Sequence, residues 1–281
     1  MIIAIAIAVS LLTALVVIIA TRTPAENYLD ADGPIYTGSY AGEAPPFTGK
    51  LKVVSWNLNF ATRVDQAINE FQTIDELRDA DIILLQEMDK HSIEKVAQAL
   101  GYNYIYYPAA IHRRHNRQFG NAILSKWPLS EPKKIILSDN FRGLKHNRIA
   151  VRALIDLGNQ QVVAYSAHLD MVWMLPGQGE TQVDVLVRQV GSEENPAIVG
   201  GDFNSWSSGS IEILEERFGR IGLVRVSKGN GPTIETYGGV KLTLDHIFAS
   251  EIFKSQTSIW PQPKVSDHSA VWAILSIEEA E

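Results

Sequence analysis

The chain has 281 residues, of which 46% are hydrophobic and 20% are charged, values that fit a globular core and exclude a mostly disordered chain. The formal net charge of −7 argues against a general nucleic-acid coating protein, because such proteins bind phosphates through an excess of Lys and Arg. The absence of cysteine excludes disulfides, a thiol nucleophile and a cysteine-ligated metal.

Residues 2–20 are uncharged and almost wholly apolar. As a helix they would span about 28 Å, close to the hydrocarbon thickness of a bilayer. The sequence therefore predicts an N-terminal transmembrane helix over residues 1–20, a retained anchor or an uncleaved signal segment, because Ile18-Ile19-Ala20 is a poor cleavage site. The anchor predicts a membrane location with the following domain outside the cytoplasm, although Arg22 alone would favour the opposite orientation.

Residues 21–49 are rich in Gly, Pro, Ala, Ser and Thr without apolar periodicity, which predicts a flexible linker. A single folded domain is predicted over residues 50–278. Within it strand-like apolar runs alternate with helical patterns, which indicates an α/β domain. These runs cover residues 51–56, 64–77, 82–85, 93–100, 122–124, 149–155, 162–166, 183–190, 197–199, 211–218, 242–248 and 270–275.

Polar side chains follow several of the strand-like runs. Asn57, Glu87 and His168 each come just after one of them. Asp202 and Asn204 follow another run, and their spacing of two places both on the same side of an extended backbone. Because sites in α/β domains are built at strand ends, these side chains are predicted to meet at one edge of the fold.

Other ligand-capable residues stand beside the remaining runs. Asp245 lies inside the run at 242–248, and Asp267 and His268 precede the last run. Asn121 opens the run at 122–124, and Arg148 precedes the run at 149–155. Each fragment alone is a weak signal.

In order, these fragments resemble the endonuclease/exonuclease/phosphatase superfamily of DNase-like metal-dependent phosphoesterases. The resemblance covers about residues 50–277 and is carried by Gly201-Asp202-Phe203-Asn204, Ser266-Asp267-His268, Gln86-Glu87 and the run at 120–126. It implies a four-layered α/β sandwich, in which two packed mixed β-sheets are flanked by helices. It also implies a hydrolase of phosphoester bonds, above all phosphodiesters, that acts by water attack.

The resemblance further implies one divalent ion, Mg²⁺ or Mn²⁺, with Glu87 as principal ligand and Asn57 and Asp267 completing the set. Hard oxygen donors suit these ions, and Mg²⁺ keeps most of its waters, so few protein ligands suffice. Asn59 stands where some nuclease branches carry a second metal-site aspartate. This departure favours chemistry with a single metal.

The catalytic roles are also taken from the resemblance. It implies that Asp202 is the general base and that Asn204 orients the phosphate or the base. His268, paired with Asp245, would lie against the phosphate as imidazolium or imidazole, and His168 would donate to the leaving group or bind phosphate.

Two residues are expected to contact substrate. Arg148 resembles the arginine that grips a non-bridging phosphate oxygen, a role that suits a bidentate guanidinium. Asn121 is expected beside it. His246 is expected to face the opposite side of its strand from Asp245 and is left out of the site.

The substrate stays open at this point. The basic loop at 112–117 could collect phosphates or simply be solvated, and the apolar loop at 170–176 could receive a lipid chain or pack on the sandwich rim. The acidic charge, the membrane segment and the apolar loop favour a lipid-linked or small phosphoester. A DNA or RNA endonuclease or exonuclease is the alternative, and a catalytically inactive binding module on the same fold is a remote one. The expected partners are the phosphoester substrate and, through residues 2–20, a membrane; no obligate protein partner is expected.

Overall fold

The protein is seen in a computed structural model that describes residues 24–137, 146–170, 181–236, 238–261 and 264–277. The described residues form sixteen strands and four helices. Eight strands make one sheet: β1 Pro24–Asn27, β2 Tyr36–Ser39, β3 Lys50–Asn57, β4 Ile82–Met88, β5 Asn103–His112, β6 Arg117–Ser125, β15 Phe253–Trp260 and β16 Ala270–Ile277.

The second sheet has six strands, and a hairpin of two short strands stands apart. The strands of the second sheet are β7 Leu129–Ile136, β8 Ile149–Asp156, β9 Gln161–His168, β10 Ala197–Asp202, β11 Leu223–Arg225 and β14 Asp245–Ser250; the hairpin pairs β12 Ile234–Glu235 with β13 Lys241–Leu242. The four helices are α1 Val64–Thr73, α2 Lys90–Leu100, α3 Gln182–Gly191 and α4 Ser208–Gly219.

Both sheets are mixed. The first runs in the order β1-β5-β6-β4-β3-β16-β15, with β2 also paired to β5, and its β3–β4 pair is parallel. The second runs in the order β11-β14-β10-β9-β8-β7, and its β9–β10 pair is parallel. These parallel pairs lie inside each sheet, so the ends of β3, β4, β9 and β10 emerge together at one edge.

Three apolar clusters divide the molecule into layers. Leu84 and Val151 belong to a cluster between the two sheets. Phe71 of α1 packs with residues on the outer face of the first sheet, and Leu186 of α3 and Phe218 of α4 pack with residues on the outer face of the second. The predicted four-layered sandwich of helices, two sheets and helices is confirmed.

Close contact between the sheets is set by a glycine. A β-carbon added to Gly200 in β10 would lie 2.7 Å from Leu84 Cδ1 and 3.2 Å from Ser55 Cβ, both in the first sheet. Near this point Gln86 Nε2 donates to Ser166 Oγ at 3.0 Å, and Ser166 Oγ donates to the Leu85 carbonyl at 3.0 Å. Buried polar bonds thus tie the sheets directly beneath the strand ends.

Two strands, β1 and β2, lie within the range predicted as a flexible linker, so the folded domain begins before the predicted start at residue 50. Strand β1 pairs antiparallel with β5, where Pro24 is opposite His112, and β2 pairs with the same strand, where Tyr36 is opposite Tyr106. These strands are short and carry Pro or Gly, so their alternation is too brief to be read from the sequence. Their backbone groups complete the edge of β5.

The predicted membrane segment at 2–20 lies outside the described residues, as do residues 171–176 of the apolar loop and residues 278–281. In the part of the chain that the structure describes, no helix is both long enough and apolar enough to span a membrane.

Candidate active site

Ten predicted site residues are contributed equally by the two sheets. Asn57, Glu87, Asn121, Asp267 and His268 lie in or next to strands of the first sheet, and Arg148, His168, Asp202, Asn204 and Asp245 lie in or next to strands of the second. The contacts described below bring most of them together at the ends of β3, β4, β9 and β10. Neither sheet alone holds the full set.

Asp202 is the hub of the site. Its Oδ2 accepts a hydrogen bond from Asn57 Nδ2 at 3.1 Å. The same oxygen lies 3.4 Å from His168 Nε2 and 3.8 Å from His268 Nε2. Asp202 is only 2% exposed, so its carboxylate makes contacts with these polar groups instead of with water.

Asn204 is held in a left-handed conformation, with φ at +49°, just after β10. Its amide N–H donates to Asp202 Oδ1 at 2.9 Å, and its side-chain Nδ2 donates to the Leu169 carbonyl at 2.8 Å. Asn is one of the few residues that tolerate this conformation at modest cost. Asn204 therefore fixes the orientation of the Asp202 carboxylate.

His268 is paired with Asp245. The distance between His268 Nδ1 and Asp245 Oδ2 is 2.8 Å, and both side chains are buried. Thr233, which the sequence analysis missed, donates from Oγ1 to the same Asp245 oxygen at 2.6 Å and accepts the Leu244 N–H at 3.0 Å. This arrangement leaves His268 Nε2 turned towards Asp202.

Ser266 also positions His268 and was noted only as part of a motif. Its Oγ donates to the Asn57 carbonyl at 2.6 Å and accepts the His268 N–H at 3.1 Å. Trp56 Nε1 donates to the His268 carbonyl at 2.9 Å. The segment before β16 is thereby fastened to the end of β3.

Glu87 leaves its strand at a β-bulge. The pairing of β4 with β6 shifts register between Leu85 and Met88, and Glu87 has a φ of +60°. A bulge re-aims a side chain out of the normal alternation. The carboxylate accepts hydrogen bonds from Asn57 Nδ2 at 3.3 Å and from the Phe60 N–H at 3.0 Å.

Arg148 faces His168. Arg148 Nη1 lies 2.7 Å from His168 Nε2 and 3.1 Å from its Nδ1. Burial, followed by the charge of Arg148, holds the pKa of His168 well below its ordinary value. A neutral imidazole therefore stands next to a permanent cation, and an anionic group would be attracted to this pair.

Two of the predicted residues are placed differently from expectation. Asn121 Nδ2 donates to the Ile149 carbonyl at 2.9 Å and the Ser166 carbonyl at 3.1 Å, so both of its N–H groups tie the sheets together rather than facing a substrate. Asn57 turns its Oδ1 to the Asn59 N–H at 3.0 Å and its Nδ2 to two carboxylates, so its oxygen is not presented to a metal.

Asp267 and His246 lie at the margins of this arrangement. Asp267 is exposed, and its carboxylate is near enough to raise the pKa of both Glu87 and His268 as a minor contributor. His246 is fully buried on the far side of β14, where its Nε2 lies 2.6 Å from Ser205 Oγ. The alternation of the strand separates it from Asp245.

The electrostatics of the hub favour proton transfer. Burial raises the pKa of Asp202 to about 7, although the charge of His268 opposes the shift. Burial lowers the pKa of His268, but the carboxylates of Asp245 and Asp202 outweigh it, and the net pKa is well above the ordinary value. An Asp that titrates near neutrality beside an imidazolium is suited to general base catalysis.

The acidic residues fit a divalent cation. In the described residues, the one group of at least three acidic or histidine side chains with ligand atoms within 4.8 Å of one another is Asp202, Asp245 and His268. An imidazolium offers no lone pair, so a cation there would have to displace the proton of His268. Burial also raises the pKa of half-buried Glu87, and a bound cation would offset that cost.

A model of the Endonuclease/Exonuclease/phosphatase family matches residues 54–268, a range that contains every residue placed in the site. The chain belongs to the endonuclease/exonuclease/phosphatase family. The resemblance stated from the sequence is confirmed, and with it the assignment to a family of phosphoester hydrolases.

Solved structures share the fold of this family member. A family protein from Leptotrichia buccalis has a TM-score of 0.65 at 17% identity, covering 82% of this chain and 100% of that one. Truncated TDP2 of Caenorhabditis elegans has a TM-score of 0.62 at 19% identity over 81% of this chain and 97% of that one. A mannosyl-6-phosphatase of Bacteroides thetaiotaomicron has a TM-score of 0.61 at 19% identity over 81% of this chain and 100% of that one.

Curated relatives match a shorter stretch. A UPF0294 protein of Vibrio vulnificus is 30% identical over 118 residues, which are 41% of this chain and 39% of the relative. A second protein from another strain is 31% identical over 113 residues. The chain spans about two fifths of the length of these relatives.

The family activity of this chain is expected to depend on pH through the hub. If Asp202 is the general base, kcat/KM should rise through about pH 7 as Asp202 loses its proton, because a general base must be deprotonated. It should fall in the alkaline range, above the usual histidine pKa, as His268 loses its proton. The measurement is a pH profile of kcat/KM for the wild type and Asp245→Asn. Loss of the Asp245 carboxylate should move the alkaline limb to lower pH, and an unmoved limb would contradict the pairing.

Proposed function

We propose that this chain is a membrane-anchored phosphodiesterase that hydrolyses a lipid-linked or small phosphoester by water attack, with one Mg²⁺ or Mn²⁺ ion. The observation that carries the proposal is the Asp202 hub, in which one buried carboxylate with a pKa of about 7 lies 3.4 Å from His168 and 3.8 Å from His268.

In the proposed reaction, Asp202 takes a proton from the attacking water, and Asn204 keeps the carboxylate in place. His268, held protonated by Asp245, donates to a phosphate oxygen as negative charge develops. Arg148 binds a non-bridging oxygen. His168 is a neutral ring, so it donates a hydrogen bond to the leaving oxygen, and the proton that Asp202 took from the water passes to that oxygen as its bond to phosphorus breaks.

The cation completes the charge balance. When bound, a divalent ion supplies positive charge to the phosphate oxygens and lowers the pKa of a coordinated water. Glu87 is the residue best suited to hold it, with Asp267 as the neighbouring exposed carboxylate, because both offer hard oxygen donors. Asn57 supports the ion indirectly, by fixing the Glu87 and Asp202 carboxylates.

The membrane part of the proposal rests on the apolar run at 2–20 and on the place where the folded domain begins. Three residues, 21–23, separate that run from β1, and Pro24 of β1 is paired with His112 near the site. A helix anchored at 2–20 would thus keep the active-site edge within reach of lipid phosphates. We place the domain outside the cytoplasm, and protease digestion of intact cells should remove it if this orientation is right.

A nuclease is the second candidate, because Arg113 and Arg114 of the basic loop are exposed near the site. Part of that loop is structural, however. Arg117 is ion-paired with Asp89 and donates to Ser92 Oγ at 2.9 Å, and Arg113 donates to the Pro24 carbonyl at 3.1 Å. Fewer of its cations are available for a nucleic-acid backbone than the sequence indicates.

The test is hydrolysis by the full chain in detergent micelles with Mg²⁺ or Mn²⁺, beside Asp202→Asn as the inactive control. The panel contains plasmid DNA, RNA, sphingomyelin, a phospholipid and inositol phosphates. We expect metal-dependent cleavage of a lipid or small phosphoester that changes little with salt. Cleavage of DNA or RNA that falls steeply with salt would favour the nuclease, because counterion release governs such binding. No metal-dependent hydrolysis of any substrate would overturn the proposal.

A further inference from the structure

A cluster of aromatic rings lies beside the active site. We call the side chains of Phe60, His112, His115, Phe119 and His146 the ring platform. The rings of Phe60 and His115 are stacked with centroids 4.6 Å apart and planes at 25°, and those of His112 and His146 are stacked at 4.6 Å and 5°. Phe60 and Phe119 are 5.5 Å apart.

The platform has a buried side and an open side. Phe119 is 4% exposed and His112 is 9% exposed, so they form its base. Phe60 and His115 are half-buried and present their rings at the surface. The exposed parts of these two rings are the surface that a flat ligand could contact.

The backbone that carries Phe60 is in an unfavourable conformation. Asn59, Phe60 and Ala61 have φ values of +44°, +57° and +49°. Bulky non-glycine residues rarely adopt this left-handed region because the β-carbon crowds the backbone there. Gly at position 60 would relieve much of the strain. The ring of Phe60 packs partly against the core cluster between the sheets and is partly exposed.

The ring platform lies beside the proposed catalytic groups at Phe119, and the backbone of Phe60 contacts Glu87. The Phe60 N–H donates to Glu87 Oε2 at 3.0 Å. The ring of Phe119 lies 5.5 Å from the ring of His168, and the Arg148 guanidinium carbon lies 5.5 Å from the Phe119 ring. A group stacked on the platform would therefore stand next to a phosphate held by Arg148 and His168.

The imidazoles of the platform are uncharged at neutral pH. Burial lowers the pKa of His112 to about 4, with the neighbouring His115 adding to the shift, and burial lowers the pKa of His146 to about 4. The pKa of His115 is also lowered by burial and by the nearby Arg114. Neutral rings stack on a flat π-system without the cost of desolvating a cation.

We propose that Phe60 and His115 stack on a planar ring carried by the phosphoester substrate, either a nucleobase or an aryl group. This inference rests on the proposed function and narrows its substrate class: the ring belongs to the small phosphoester or to the head group of a lipid-linked one. Stacking on any flat ring is tolerant of its identity, and exposed Arg114 supplies positive charge beside His115. An acyl chain would gain little more from packing on flat aromatic rings than from packing on Leu side chains.

The test is binding to the full chain in detergent with Mg²⁺, measured by titration calorimetry, with two matched pairs of ligands. Phenylphosphonate is compared with cyclohexylphosphonate, and thymidine 5′-monophosphate with deoxyribose 5-phosphate. In each pair the phosphorus group is kept and the planar ring is removed. The wild type should bind the planar member of at least one pair about fivefold more tightly. A preference within the phosphonate pair would indicate an aryl group in the substrate, and a preference within the nucleotide pair would indicate a nucleobase.

Phe60→Leu should bring the ratio of planar to non-planar affinity close to one while cyclohexylphosphonate binding is retained. His115→Ala should reduce the same ratio. Tyr40→Leu is the matched control, because this partly exposed ring stacks on Tyr104 at the edge of the first sheet and should leave the ratio unchanged. Affinity ratios near one for both ligand pairs in the wild type would contradict the proposed stacking, and so would a preference for the planar ligand that survives both substitutions. Ring-selective binding without hydrolysis of any phosphoester would overturn the proposed function alone.

Discussion

Replacing Asp202 with Asn is expected to lower kcat by about 100- to 10,000-fold, the range that general base catalysis commonly contributes. Asn has nearly the same shape and can still accept the Asn204 N–H that now binds Oδ1 at 2.9 Å. What it loses is the basic oxygen between His168 and His268. Steady-state kinetics on the best substrate of the panel, with thermal unfolding as the check on folding, measure the effect.

Asp156→Asn is the matched control for this substitution. Asp156 is exposed at the far end of β8 from Arg148, so the same chemical change there should leave kcat unaltered. His268→Ala should act like Asp202→Asn, because the two side chains form one unit and such effects are not additive. Near-full activity of both variants at the wild-type melting temperature would show that the hub is not the catalytic centre.

Replacing Glu87 with Gln is expected to weaken divalent-metal binding and to lower kcat/KM by about 100-fold or more, since the ion contributes several kcal/mol to the transition state. Gln keeps an acceptor for the Phe60 N–H but loses the negative charge that holds the cation. The measurements are the metal concentration at half-maximal activity and direct titration of Mn²⁺ into the protein.

The comparison separates a metal role from a structural one. Glu43→Gln, at an exposed glutamate between β2 and β3, should change neither metal affinity nor rate. If Glu87→Gln bound Mn²⁺ as the wild type does while Asp202→Asn lost it, the ion would belong to the Asp202, Asp245 and His268 group instead. That outcome would reassign the metal site and would leave the proposed hydrolase activity standing.

The site residues at strand ends could be predicted from the sequence. Glu87, His168 and Asp202 each follow a short apolar run, and a buried run that stops at a ligand-type residue can be read without a partner strand. Asp245 and His268 were reached through the family resemblance. Strands β5, β7 and β15 were not predicted. β5 contains Pro108 and a bulge, and β7 and β15 lie near sheet edges with mostly polar, exposed positions that weaken the pattern.

Residues that act through a neighbour distant in sequence were missed. Thr233 is an ordinary threonine until the fold places it 2.6 Å from Asp245, and Phe60 is an ordinary aromatic until its backbone turns left-handed beside Glu87. The oxygen of Asn57 was expected at the metal, but the fold turns it to Asn59. Such roles depend on contacts between elements, which no local pattern encodes.

The close approach at Gly200 has a consequence for how this active site could change over time. Half of the ten predicted site residues are carried by each sheet, and Gly200 lies where the two sheets come into close contact. A methyl there would lie 2.7 Å from Leu84 Cδ1 and 3.2 Å from Ser55 Cβ, so side chains of the first sheet would have to shift to admit it. Position 200 therefore has little room for a larger side chain, and we expect a change of substrate preference to arise more readily in the loops around the site.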